Sequence, residues 1–368
     1  MKMKKLLLTF CALTLAATTA LAYDCCNPEP KEGTPVVKAT SEGGTFPGDP
    51  GPLVLTAEEE EAWKKEPAYS RTILVGYNGG LCLGSFGIGQ VKGFYADEGL
   101  KTEIKKFSGA QLDAVGTGKV DITGDHIASL VVPAINGVRL VFTTGIHTGC
   151  KSIYAWAEGD VKKTADLKGK AISISDGIGA SDHNITLRLL AADGIDPVND
   201  VSYKVVDYGA AIQALEKGEL AGAMLSDQFA TGFGDKLRRI RSITDDPDFE
   251  REICCIHAVN LDFYNQNPIT VKKLTNAHER AKAYMHAFPD ESCDILQANN
   301  WASGDPAVVK AFFKTLHYDV GDYETTDTLK KVIADYLKFG ILTSNEDPQT
   351  LLDRVWKPQG LSLTDKGK

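Results

Sequence analysis

The sequence predicts an α/β protein built as two lobes. Three observations carry that prediction. Strands alternate with helices from Arg71 onward, the same rhythm restarts near residue 170, and one helix–turn–strand–loop unit occurs in each half. Such alternation implies βαβ units and mainly parallel sheets. At 368 residues the chain is too long for one typical domain and long enough for two, each with its own core.

The first half opens with Thr72 to Tyr77, an apolar run that reads as a buried strand. A glycine-rich turn, Asn78 to Gly84, leads into a helix that ends near Glu98, with Gly99 as its stop. A strand over 100–107, a helix over 109–117, a strand over 120–123, a helix over 126–136 and a strand over 138–144 continue the alternation. In the second half, Ala171 to Ser175 reads as a strand. Ser181 to Asp193 reads as a helix with Ile185, Leu189 and Ala192 on one face. A strand over 201–206, a helix from Ala210 and a strand near Ala223 follow. The last third is helical, with helices expected over 268–286, 305–316, 325–338 and 347–356.

The repeated unit is explicit. Gly109-Ala-Gln-Leu-Asp-Ala-Val-Gly-Thr-Gly118 is matched by Gly209-Ala-Ala-Ile-Gln-Ala-Leu-Glu-Lys-Gly218. Each is followed by a short strand and a loop bearing an aspartate, Gly124-Asp125-His126 in one half and Ser226-Asp227-Gln228 in the other.

The N-terminus reads as a cleaved export signal. Lys2, Lys4 and Lys5 precede the apolar run Leu6 to Leu15, and Ala20-Leu21-Ala22 forms a small-residue cleavage site before Tyr23. The mature chain is therefore expected in the periplasm. Loss of the three lysines takes the formal charge from -9 to about -12. An acidic chain with no long basic block is a poor partner for nucleic acid. Residues 23–70 are rich in Pro, Gly and Glu and read as a flexible segment with one short helix, capped by Thr56 with Glu59 completing a capping box. Seven cysteines follow the signal, Cys25, Cys26, Cys82, Cys150, Cys254, Cys255 and Cys293, an odd number in a compartment that permits disulfides. Cys25 and Cys26 suit a metal, another chain or no role at all.

Several segments resemble one family. Gly93-Phe-Tyr-Ala-Asp-Glu-Gly-Leu100, Ala165-Asp-Leu-Lys-Gly-Lys-Ala-Ile172, Leu189-Leu-Ala-Ala-Asp-Gly-Ile-Asp196, Leu215-Glu-Lys-Gly-Glu-Leu-Ala-Gly222 and Asn267-Pro-Ile-Thr-Val occur in the order and spacing of the nitrate/sulfonate/taurine/thiamine-precursor group of ABC solute-binding proteins. The resemblance covers roughly residues 71 to 340. It implies a type II periplasmic binding protein fold, two lobes with mixed, mainly parallel sheets joined by two crossover strands, placed near Ile153–Ala157 and Ile253–Val259. Lobe 1 is expected over 71–155 and 256–368, and lobe 2 over 156–255. The resemblance also implies a monomer that binds a small anionic or heterocyclic solute between the lobes and delivers it to an inner-membrane ABC permease and its ATPase.

Loops after strands line such a cleft. They carry Cys82, Asp125, His126, His147, Cys150, Ser181, Asp182, His183, Asp227 and Gln228. Asp176 to Asp182 is a glycine-rich turn opening a helix, a place where free N–H groups favour an anion. Ser181 offers a hydroxyl to that anion or simply caps the helix. Asp182 opposes an anion there. The His and Cys content departs from the family pattern. His126, His147, Cys150 and His183 form a donor set for Zn²⁺ or another transition metal, which makes metal or metal-complex binding the alternative function. The same groups also suit hydrogen bonding to an oxyanion or a heterocycle, and isolated His and Cys more often fill loops and core. Cys254 and Cys255 are adjacent on an expected strand, so one faces the cleft and the other the core. The yeast thiamine-pyrimidine synthases resemble this group, but their run of three consecutive cysteines after His is absent. No G-x-S-x-G, Walker A or H-E-x-x-H motif appears, and a non-enzymatic role is expected.

Overall fold

The computed structural model describes residues 46–365. The expected leader with its Ala22/Tyr23 cleavage site, and Cys25 and Cys26, lie outside the described residues.

Among the described residues the first element is α1 (Ala57–Trp63), whose capping box forms as expected: the Thr56 hydroxyl accepts the Glu59 N–H and the Glu59 carboxylate accepts the Thr56 N–H. There follow β1 (Ile73–Gly76), α2 (Gly84–Val91), α3 (Phe94–Asp97), β2 (Thr102–Lys105), α4 (Gln111–Gly116), β3 (Ile122–His126), α5 (Ile127–Ile135) and β4 (Leu140–Thr148). The second unit comprises β5 (Lys151–Trp156), β6 (Ala171–Ile174), α6 (Ser181–Ala192), β7 (Ser202–Val205), α7 (Tyr208–Glu216), β8 (Gly222–Ser226), α8 (Asp227–Thr231) and β9 (Leu237–Ser242). The chain then returns through β10 (Ile253–Asn260), α9 (Leu261–Gln266), α10 (Pro268–Ala287), α11 (Pro289–Ala298), α12 (Pro306–Phe313), α13 (Asp322–Phe339) and α14 (Pro348–Val355). No helix among the described residues is long and apolar enough to cross a membrane.

Two five-stranded sheets result, ordered β2-β1-β3-β10-β4 and β7-β6-β8-β5-β9. The order is the same twice. Two parallel neighbours flank β1 in the first sheet and β6 in the second, and one antiparallel strand is inserted beside β3 and beside β8. In the first sheet the inserted strand is β10; in the second it is β5. The repeated segment seen in the sequence therefore occupies equivalent places, as α4–β3–α5 and α7–β8–α8. β5 lies wholly in the second sheet and β10 wholly in the first. The passages between lobes fall at Gly149–Cys150 and over 243–252, a few residues before the limits of 155 and 256 expected from sequence.

Residues 46–70 are not the flexible segment their composition predicts. Phe46 packs edge-on against Tyr284 and Phe288. The Asp49 carboxylate takes two hydrogen bonds from Arg280, at 2.7 and 2.8 Å, and both side chains are fully buried. Trp63 is buried and donates to the Thr270 hydroxyl, and Glu66 accepts the Ile269 and Thr270 N–H groups at the start of α10. A carboxylate there satisfies helix N–H groups that have no intrahelical partner. The segment docks through a few strong anchors, which an average over Pro, Gly and Glu conceals.

Candidate functional site

The repeated junctions sit where the two lobes meet. His126 is the last residue of β3 and the N-cap of α5. Its neighbour Asp125 accepts from the ring at Nδ1, 3.2 Å away, which leaves Nε2 directed at Cys150, 3.6 Å from its Sγ. Cys150 lies on the first passage between lobes. Cys254 lies at the start of β10 in lobe 1, just after the second passage, and its Sγ is 3.3 Å from that of Cys150. The three donor atoms lie within 4.8 Å of one another and all three residues are buried.

Cys150 holds an unusual backbone. Its φ is 129°, a region that favours glycine, and it follows Gly149 at φ 63°. Lobe 2 fixes that conformation. The Thr244 hydroxyl accepts the Cys150 N–H at 2.9 Å and itself donates to Asp227, and the Cys150 carbonyl accepts the Asp227 N–H at 2.9 Å.

A second imidazole and thiol lie beside this group. His147 was expected on a loop after β4, but β4 continues through it, and His147 stands opposite Cys255 of β10. Its Nδ1 donates to the Thr148 carbonyl at 2.7 Å, and its ring lies 5.5 Å from that of Tyr318. Burial works against a charge on His147, but Cys82, Cys150 and the Thr148 carbonyl hold its pKa above the ordinary value. For His126, burial and the Lys151 ammonium oppose the proton, while Cys254, Asp125 and Cys150 prevail in its favour and raise its pKa. Burial pushes the Cys254 thiol up to about 12.

The other expected residues go elsewhere. The turn before α6 offers no open anion site, because Asp176 already fills it: its carboxylate accepts the Asp182 N–H at 3.0 Å and the Ser181 hydroxyl at 2.5 Å. Ser181 and Asp182 instead receive the buried Lys151 ammonium, at 2.8 and 2.5 Å. His183 packs edge-on against Tyr203 of β7, an edge strand, and does not join the other imidazoles. Burial lowers its pKa. Asp227 accepts from Tyr154 at 2.8 Å and from Thr244, as a structural group of lobe 2. Gln228 is half-buried at the start of α8. Sequence reasoning named His126 and Cys150, but left open which of Cys254 and Cys255 turns toward them. The side-chain placement decides that: Cys255 stands opposite His126 and His147 in register, beside a register shift in β10, yet it is the Cys254 Sγ that lies 3.3 Å from Cys150.

A pocket adjoins the cluster. It is lined by Ile127, Ala128 and Cys254 of lobe 1, Ile185 and Arg188 of lobe 2, and Ile243 and Glu252 of the second passage. The lobes touch beside it: Asn184 donates to the Ala128 carbonyl at 2.8 Å, and Arg188 reaches Asp335 of α13 at 2.7 Å and Glu252 at 2.6 Å.

The family model described as NMT1/THI5 like matches residues 85–292. The chain belongs to the NMT1/THI5-like family. Among solved structures, the alkanesulfonate-binding protein of Xanthomonas axonopodis pv. citri bound to MOPS superposes with a TM-score of 0.62 at 16% identity, over 80% of this chain and 99% of that one. The periplasmic nitrate-binding protein of Synechocystis PCC 6803 does so with a TM-score of 0.64 at 16% identity, over 79% and 86%. These likenesses establish the periplasmic binding protein fold. A curated relative, 4-amino-5-hydroxymethyl-2-methylpyrimidine phosphate synthase of Candida albicans, is 24% identical over 227 residues, 56% of this chain. The chain spans 64% of that synthase's length.

Proposed function

We propose that this NMT1/THI5-like protein is the periplasmic solute-binding component of an ABC importer, and that it carries a small, largely apolar heterocycle between its lobes. The observation that carries this reading is the interlobe pocket. It is walled by side chains of both lobes and of the passage between them, so a ligand there touches all three at once and favours the closed state. The anionic half of the sequence expectation has less support. Arg188 already meets Glu252 and Asp335, Lys151 already meets Asp182, and the α6 N-terminus is capped by Asp176. The walls offered by Ile127, Ala128 and Ile185 suit an aromatic ring better than a sulfonate or nitrate. The partners in this reading are an inner-membrane permease and its ATPase, and the solute leaves chemically unchanged.

Native mass spectrometry of the protein with pyrimidines, thiazoles, alkanesulfonates and nitrate tests this, with thermal unfolding as a second readout. A heterocycle is expected to bind one per chain and raise the unfolding temperature. Ile185→Trp, which fills the pocket, is expected to abolish that shift with the fold retained. Tight binding of a sulfonate instead would overturn the heterocycle assignment, and conversion of the bound solute would overturn the carrier role.

A further inference from the structure

We infer that His126, Cys150 and Cys254 form a binding site for one thiophilic metal ion, zinc(II) or copper(I), that fastens the first interlobe passage, at Cys150, to β3 and β10 of lobe 1. The site goes beyond the carrier reading and does not depend on it.

The geometry of the donors is the first argument. A tetrahedral site with metal–sulfur bonds of about 2.3 Å and metal–nitrogen bonds of about 2.0 Å has ligand-to-ligand edges of about 3.5–3.8 Å. The Cys150–His126 separation of 3.6 Å already matches, and the Cys150–Cys254 separation of 3.3 Å needs to open by only tenths of an ångström. Two thiolates and an imidazole form a soft donor set that selects zinc or copper(I) over magnesium or calcium.

The surroundings of the donors are the second argument. The Asp125 carboxylate sits on Nδ1 of His126, an outer-shell arrangement that fixes which ring nitrogen faces a metal. Two thiolates, a neutral imidazole and Zn²⁺ sum to zero charge, which suits a buried site. Binding replaces each S–H bond by a metal–sulfur bond, frees Nε2 of His126 of any proton it carries, and releases those protons to solvent. Cys254 also lines the interlobe pocket, so an ion has a route to the site.

The backbone is the third argument. Cys150 holds a conformation that costs a non-glycine residue about 1–3 kcal/mol, and glycine would hold it without strain. The structure secures Cys150 there with hydrogen bonds to both its N–H and its carbonyl. Its side chain is what glycine would lack, and that side chain points at Cys254 and His126.

The test uses the full chain, untagged, fully reduced and stripped of metal. Zinc(II) and copper(I) are titrated separately and scored by elemental and native mass spectrometry. Cobalt(II) serves as the spectroscopic probe through its thiolate charge-transfer band. One ion per chain is expected, with protons released on zinc binding. Cys150→Ser and Cys254→Ser are each expected to weaken affinity at least 100-fold and to shrink the cobalt band. His126→Ala is expected to weaken it at least tenfold. Cys293→Ser, a buried thiol on α11, is expected to change nothing. Circular dichroism of each variant confirms that it is folded. The inference is overturned if the reduced protein takes up neither ion, or if the Cys150→Ser/Cys254→Ser double variant binds as tightly as the parent. It is equally overturned if Cys150 and Cys254 prove to form a disulfide whose reduced form binds nothing. Solute binding measured on the metal-free protein keeps failure of the carrier reading separate.

Discussion

The β3–α5 and β8–α8 junctions hold the same position in their two sheets, and each carries an aspartate beside an inserted antiparallel strand. Their chemistry is opposite. The lobe 1 junction faces β10 and gathers sulfur and imidazole around Asp125. The lobe 2 junction faces β5 and gathers hydroxyls around Asp227, with the Lys151–Asp182 ion pair alongside. One scaffold thus presents soft donors on one side and hard, already paired charges on the other. A scaffold fixes where a site stands; the residues on the inserted strand decide what it binds.

The largest expected effect breaks the lobe 2 side. The Lys151 ammonium and the Asp182 carboxylate are almost wholly buried, and Tyr208 and the Ser175 N–H complete the shell of Asp182. Lys151→Met leaves Asp182 buried with no cation, and such losses cost about 3–5 kcal/mol. Urea denaturation should show that loss, and adding Asp182→Leu should restore part of it. A loss well below 1 kcal/mol would show that the pair is not the structural centre of lobe 2.

The next effect separates two kinds of imidazole within lobe 1. His257 and His278 stack with ring centres 4.7 Å apart, against Phe86, and neither has a carboxylate neighbour like Asp125. Burial lowers the His257 pKa to about 3, with Lys282 adding to the effect. Burial, His257 and Lys282 likewise lower that of His278. Both folded-state values lie below the unfolded value near 6.5, so the unfolded chain binds these protons more tightly. Their contribution is whole above about pH 6.5 and is lost as pH falls below it. Between pH 7 and 5 His257 should remove about 2 kcal/mol, and His278 acts in the same direction. Denaturation midpoints at those two pH values check this, and His278→Phe should make the drop smaller. An unchanged drop in that variant would assign the acid sensitivity to other groups.

Much of the scaffold is legible in the sequence because its signals are local. The βα alternation, the Thr56–Glu59 capping box, Pro268 at the start of α10 and the doubled helix–strand–loop unit all depend on neighbours in sequence. What escapes depends on distant partners. β9 was not expected, since Leu237-Arg-Arg-Ile-Arg-Ser242 looks like a charged loop until Arg239 lies over Tyr154 and Arg241 over Phe249. The docking of residues 46–70 rests on pairs such as Asp49 with Arg280, which no local pattern shows. In the candidate site, soft donors at 126 and 150 were readable as residue types. The choice of Cys254, at a register shift that sets Cys255 opposite His126, and the departure of His183 toward Tyr203 both depend on contacts between distant elements.

The smallest effects test how the two aspartates divide their labour around one cluster. Asp125 acts on His126 directly through Nδ1. Asp227 acts at one remove: Thr244 donates to it and accepts the Cys150 N–H, so Asp227 steadies the backbone that carries the thiol. Asp125→Asn should weaken zinc affinity about tenfold, the low end for loss of an outer-shell carboxylate on a ligating histidine. Asp227→Asn keeps an oxygen for Thr244 and should weaken it only about threefold, equal to roughly 0.65 kcal/mol. The cobalt spectrum distinguishes the two, since only Asp125→Asn alters a metal-bound ring and should shift the d–d bands, while Asp227→Asn should leave them in place. If the order reverses, the Cys150 backbone rather than the His126 ring is the group that must be held, and the equivalence of the two junctions extends from their position to their role.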